Sequence, residues 1–153
     1  MIADLAHHPI KNSAMIAKPA DLSSLVKALA QLHEALQLWH KEPAGSVLKL
    51  HLCSAIIHSS EVTYALSVRL LRSVLTMRSE ATVIDLSFND LLRKAADAGL
   101  VAAPEMWRQW NELRDSISHT HDESKATEVA AGVERFAGAA VELVGVLEKN
   151  LGH

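Results

Sequence analysis

No glycine or proline occurs between Ser46 and Ala98, and that uninterrupted stretch limits what the chain can fold into more than any other feature does. Glycine and proline are the residues that most readily end a helix or turn a strand. Their absence leaves room for a helix well beyond the usual three or four turns. Within the stretch, Leu48, Leu52, Ile56, Tyr64, Leu66, Leu70, Leu71 and Val74 fall on more than one helical face. One long helix buried on two sides explains that pattern better than two short ones, so Val47 through Arg78 is expected to be the central helix of a bundle.

The segments on either side agree with this. From Asp21, with Asp21 or Ser23 able to cap free amides, Leu25, Leu29, Leu32, Leu36 and Trp39 recur at alternating steps of four and three, which marks a helical seam. It is expected to stop at the turn Glu42-Pro43-Ala44-Gly45. After the central helix, Thr82, Val83 and Ile84 favour a break. Ser87, three residues before Asp90, starts a short helix through Leu91, Leu92 and Ala95 that ends at Gly99. Pro104 suits the first turn of a fourth helix with the stripe Trp107, Trp110, Leu113 and Ile117. A fifth helix after Asp122 or Ser124 carries Val129, Val133, Phe136, Ala140, Leu143 and Leu147. Gly132, Gly138 and Gly145 within it suggest close packing along one face, or simply tolerated glycines.

Alanine and leucine dominate and aromatic residues make up 4%, a composition that favours helix over a β-sandwich. The expected fold is all-α, an antiparallel four-helix up-and-down bundle with one extra short helix. At 153 residues it makes one domain, residues 21–153, preceded by an arm over residues 1–20 that contains His7 and His8. Cys53 is the single cysteine, so no internal disulfide forms and a reducing cytoplasm fits. Neither a signal peptide nor a membrane span is evident. A net charge of −3 argues against bulk attraction to nucleic acid, so any RNA contact must come from a local patch or a cleft shared between subunits.

Chemistry concentrates in Arg114-Asp115-Ser116-Ile117-Ser118-His119-Thr120-His121-Asp122. A guanidinium supplies a planar fork for phosphate and an imidazole exchanges a proton near neutral pH, a pair suited to a phosphodiester. RNA brings its own nucleophile in the 2′-hydroxyl, so no metal or cofactor is required. At ~100° per residue, Arg114 and His119 stand about 140° apart on a continuous helix. Either the helix ends before His119 or arginine's length covers the difference. The plain alternative is structural, with both residues capping carbonyls or pairing with Asp115 or Glu112. His119-x-His121 with Asp122 offers two imidazoles and a carboxylate to a metal, but no further protein ligand is evident, and such His-x-His pairs usually lie on strands or extended loops. On the central helix, His51, Ser54, His58 and Glu61 share one stripe. Glu61 is expected to be a buried or cleft-facing carboxylate that holds Arg114 or a histidine. Tyr64, Trp107 and Trp110 can stack on bases or fill the core.

These residues also carry a family resemblance. Ser60-Glu61-Val62-Thr63-Tyr64-Ala65-Leu66-Ser67-Val68-Arg69 resembles the Phe-Glu-Phe-Thr-Tyr-Glu-Leu-Ala-Trp-Lys helix of the HEPN superfamily, in its subgroup of nucleotidyltransferase substrate-binding proteins. Leu91 to Val101, then Trp107, then Arg114 to Asp122 resemble that group's Arg-Glu-Ala-x4-Gly-Leu-Ile, Trp and Arg-Asn-x-x-Ser-His-x-Tyr-Asp series in order and spacing. The likeness runs over about residues 22–149.

The resemblance implies a helical bundle that forms a homodimer, with the Arg-x4-His motifs of both subunits in one cleft. Such proteins act as toxins that cut RNA without metal. Many are paired with a minimal nucleotidyltransferase that neutralises them by adding adenylate to the motif's tyrosine. On that pattern Arg114 binds phosphate and His119 is the acid or base, with Asp115 as an accepted variant after the arginine and Ser118 inside the motif. His121 stands where the tyrosine is expected, so the acceptor hydroxyl is missing. The alternative implied reading is a non-catalytic subunit of a nucleotidyltransferase complex that binds nucleotide or substrate.

Overall fold

The structure, a computed structural model, describes residues 19–78, 83, 85–117 and 125–150. Five helices account for nearly all of them: α1 (Pro19–Lys41), α2 (Val47–Arg78), α3 (Phe88–Asp97), α4 (Pro104–Ile117) and α5 (Ala126–Asn150). There is no strand among the described residues, and the all-α expectation holds. The N-terminal arm, with His7 and His8, lies outside the described residues apart from its last two positions.

Helix α1 begins at Pro19, two residues before the expected Asp21. Proline lacks only an amide hydrogen that a first turn leaves unbonded, and its fixed φ suits the start of a helix. The anticipated seam is buried: Leu25, Leu29, Leu32, Leu36 and Trp39 all face the core. At the turn into α2, Gly45 takes φ +83°, which a side chain disfavours. Ser46 Oγ then accepts from the Lys49 amide at 3.0 Å and caps α2. Lys49 Nζ donates back to the Glu42 carbonyl at 3.1 Å and lies 4.0 Å over the Trp39 ring.

Helix α2 spans the expected residues, but its buried face differs from the apolar pattern. Ser60, Thr63, Ser67 and Ser73 are buried, whereas Leu48 and Val62 are exposed and Leu52 and Leu66 only partly covered. The physical reason lies in the hydroxyls. Ser60 donates to the Ile57 carbonyl at 2.7 Å, Thr63 to Ser59 at 2.8 Å and Ser67 to Thr63 at 2.8 Å. Satisfied within their own helix, these small side chains are buried at little cost.

Helix α3 is punctuated as its sequence suggests. Ser87 Oγ accepts from the Asp90 amide at 3.2 Å. At the other end Gly99, at φ +76°, donates to the Ala96 carbonyl while Leu100 donates to Ala95, the paired bonds of a Schellman ending. Before α3, Arg72 Nη1 binds the carbonyls of Val83 (2.9 Å) and Leu86 (3.2 Å), tying the connecting segment to α2.

Helices α1, α2 and α5 pack on one another, α4 packs on α5, and α3 bridges α2 and α4. His40, near the end of α1, pairs with Glu134 near the start of α5. The core runs through α5, where Val129, Val133, Phe136, Ala140, Leu143 and Leu147 are all buried. Of its three glycines only Gly132 shows the close approach anticipated from sequence: a Cβ there would run into Leu113 Cδ2 of α4, while nothing lies near Gly138 or Gly145. Gly138→Ala should therefore stabilise the fold by roughly 0.5–1 kcal/mol through helix propensity. Gly132→Ala should instead lose about 1 kcal/mol as Leu113 is displaced. Urea denaturation of the two variants beside the parent measures both, and equal responses would show that α4 and α5 are not in contact at this position.

Candidate functional site

Helix α4 supplies the site. Pro104 opens it, Glu105 sits in its first turn and pairs with Arg108, and Trp107 and Trp110 turn into the core. Arg114 lies in the last turn, where the negative end of the helix dipole favours a cation. It is half-buried. Asn111, one turn earlier, shares its side of the helix, and Tyr64 reaches the pair from α2. Arg114 Nη2 donates to Asn111 Oδ1 at 3.1 Å, the Tyr64 hydroxyl donates to the same oxygen at 3.2 Å, and the guanidinium carbon lies 4.7 Å from the Tyr64 ring centroid. The oxygen's two lone pairs are thereby both used.

Tyr64 is itself wedged. Its ring leans on Phe88 (centroids 5.5 Å apart) and Phe136 (6.2 Å), and it is 8% exposed. Burial pushes its hydroxyl pKa above the ordinary tyrosine range. The Arg114 charge pulls it back, Asp115 raises it and Arg72 lowers it. Two guanidinium groups and one carboxylate thus act on a single phenol.

Of the residues singled out from sequence, Arg114 is half-buried in the last turn of α4 and Asp115 is exposed beside it. Ser118, His119 and His121 lie outside the described residues. Glu61 requires correction: it is exposed and makes no ion pair with Arg114 among the described residues. The place expected for it is taken by Tyr64, one turn further along α2, whose ring covers the guanidinium. His51, Ser54 and His58 are exposed as well, and no group of three or more possible metal ligands converges among the described residues. Tyr64, Trp107 and Trp110 are core residues rather than open stacking platforms. Asn111 was not anticipated. Its spacing of three from Arg114 was the available signal, but only the approach of Tyr64 across the bundle makes that spacing matter. Cys53 is buried, and burial raises its thiol pKa, so it stays protonated and unreactive near neutral pH.

A groove of about 330 Å³ separates α4 from α5, with Gln109, Glu112, Ser116, Glu128 and Arg135 on its walls. Arg114 does not line it. Among the described residues no helix is long and apolar enough to cross a membrane.

The family model described as nucleotidyltransferase substrate binding protein like matches residues 20–149. Over 93 residues the chain is 29% identical to the probable ribonuclease HepT of Haemophilus influenzae, an alignment covering 60% of this chain and 64% of that protein. The chain thus spans slightly less than two thirds of the curated relative's length. A solved Haemophilus influenzae structure, described as revealing the fold of a substrate binding domain of a nucleotidyltransferase, superposes with a TM-score of 0.74 at 24% identity. It covers 83% of this chain and 98% of the other. At that identity the likeness is one of fold.

The chain has one tyrosine, so its titration is directly readable. A raised folded pKa means that stability from the neutral phenol is complete below the unfolded value near 10 and is lost as pH climbs through the folded one. Tyrosinate absorbance should appear at higher pH in the folded protein than in the denatured chain. Arg114→Met, which keeps the ring covered but removes the charge, should move that midpoint further up. An unchanged midpoint would place the guanidinium away from Tyr64.

Proposed function

This chain belongs to the nucleotidyltransferase substrate binding protein-like family, and from that premise we propose that it is a cytoplasmic HEPN-type partner of a minimal nucleotidyltransferase that cuts RNA without metal through Arg114 and His119. The observation that carries the reading is the Arg114 guanidinium at the end of α4, held between Asn111 and Tyr64 and followed at the family's spacing by His119. Arg114 binds the phosphodiester through charge-assisted hydrogen bonds. His119 takes the proton of the ribose 2′-hydroxyl as that oxygen attacks phosphorus, or gives a proton to the departing 5′-oxygen. The bond to the 5′-oxygen breaks and a cyclic phosphate remains. The name of the Haemophilus relative, a probable ribonuclease, supports this chemistry.

A homodimer with two such pairs in one cleft completes the reading. Val47, Leu48, Leu50 and Val62 support it, being apolar side chains of α2 left exposed on the single chain and suited to cover by a second copy. The net charge of −3 supports a confined RNA contact over a broad basic surface.

A second reading is favoured by one residue. His121 occupies the position of the expected tyrosine, so a nucleotidyltransferase finds no acceptor hydroxyl there. A non-catalytic subunit that binds nucleotide or substrate for that enzyme then becomes the alternative.

The two separate in one assay. Purified protein in chelator should cut a labelled RNA, and Arg114→Ala and His119→Ala should each slow cutting by roughly 100-fold or more. The rate should change between about pH 5 and 9 as His119 titrates. His119→Ala cutting at the parental rate would eliminate the nuclease reading. An inert parent that retains a nucleotide or co-purifies with a nucleotidyltransferase would establish the binding reading.

A further inference from the structure

The Asn111 side chain sits between two donors from different parts of the chain. Tyr64, 47 residues away on α2, donates its hydroxyl to Asn111 Oδ1 at 3.2 Å, and Arg114 donates Nη2 to the same atom at 3.1 Å. The Tyr64 ring faces the guanidinium at 4.7 Å. A ring under a planar cation fixes its plane, and a hydrogen bond to one terminal nitrogen fixes its rotation within that plane. An arginine at a helix end otherwise samples many rotamers, and ordering them opposes the binding of an anion.

We infer that Tyr64 and Asn111 are positioning residues that hold the Arg114 guanidinium in one orientation for a phosphodiester. The inference rests on the phosphate-binding reading of Arg114 and adds to it the residues that set the geometry. Arg114 donates to Asn111 through Nη2, one terminal nitrogen of a guanidinium that carries five N–H donors. Tyr64 is fixed in turn by Phe88 and Phe136, so the orientation of the guanidinium is referred back to the core and not only to its own helix. A purely structural account, in which Asn111 merely satisfies the buried Tyr64 hydroxyl, needs only one of the oxygen's two bonds.

Two measurements test this together. In the free protein, nitrogen NMR of arginine side chains should show hindered rotation of the Arg114 guanidinium, lost in Asn111→Ala. A short 2′-O-methyl RNA, which cannot be cut through its own 2′-oxygen, should bind about tenfold more weakly to Asn111→Ala and to Tyr64→Leu. Tyr64→Phe, which keeps the ring, should recover most of the affinity lost in Tyr64→Leu and guards against misfolding in the leucine variant. Free rotation in the parent would overturn the inference. So would parental affinity in both Asn111→Ala and Tyr64→Leu while Arg114→Ala binds weakly. If Arg114→Ala itself binds this RNA like the parent, the phosphodiester reading fails and the inference falls with it, whereas hindered rotation would survive as a structural fact.

Discussion

Phe136 lies where α2, α4 and α5 meet, and the contacts around its ring set the relation of those helices. Trp107 meets it edge-on at 5.2 Å, Trp110 stacks on it at 5.4 Å, and Tyr64 leans on it at 6.2 Å. Aromatic pairs of this kind contribute about 0.5–1.5 kcal/mol each beyond the area they bury, and they prefer particular angles. A core of leucine alone tolerates sliding between helices, while interlocked rings do not. The two tryptophans come from α4 and the tyrosine from α2, so the ring of one α5 residue aligns the helix that carries Arg114 with the helix that covers it.

From that centre the structure grades outward into chemistry. Tyr64 has one edge in the aromatic cluster and its hydroxyl on Asn111, and its face supports the Arg114 guanidinium. Burial and charge act on it in opposite directions, burial disfavouring the phenolate and the nearby guanidinium groups favouring it. The same burial that makes Tyr64 a poor nucleophile makes it a stiff support. On the opposite side of α4, Leu113 fits against Gly132 of α5, so the last turn of the helix is seated from both sides before the chain leaves it.

Much of this was legible in the chain. The run without glycine or proline marked α2 to within its observed ends, Ser87 and Gly99 marked α3, and Pro104 marked α4, because backbone punctuation acts locally. The seams of α1 and α5 were legible for the same reason: a period near 3.6 requires no knowledge of the partner helix. The buried face of α2 was not. Serine and threonine read as polar in a pattern, yet a hydroxyl bonded to a carbonyl one turn back packs as a small neutral side chain, as Ser60, Thr63 and Ser67 do. Glu61 failed for a related reason. Its place in a motif said nothing about which side of α2 would face α4.

What the sequence determined by itself was therefore the set of helices, their boundaries and the identity of the arginine, since capping, periodicity and motif spacing are properties of neighbours along the chain. What only the tertiary structure decided was the company Arg114 keeps. Tyr64 is 47 residues from Asn111, and no local rule relates them. They meet because the rings around Phe136 fix how α2 and α4 lie against α5, and a contact between distant residues exists only once that packing has formed.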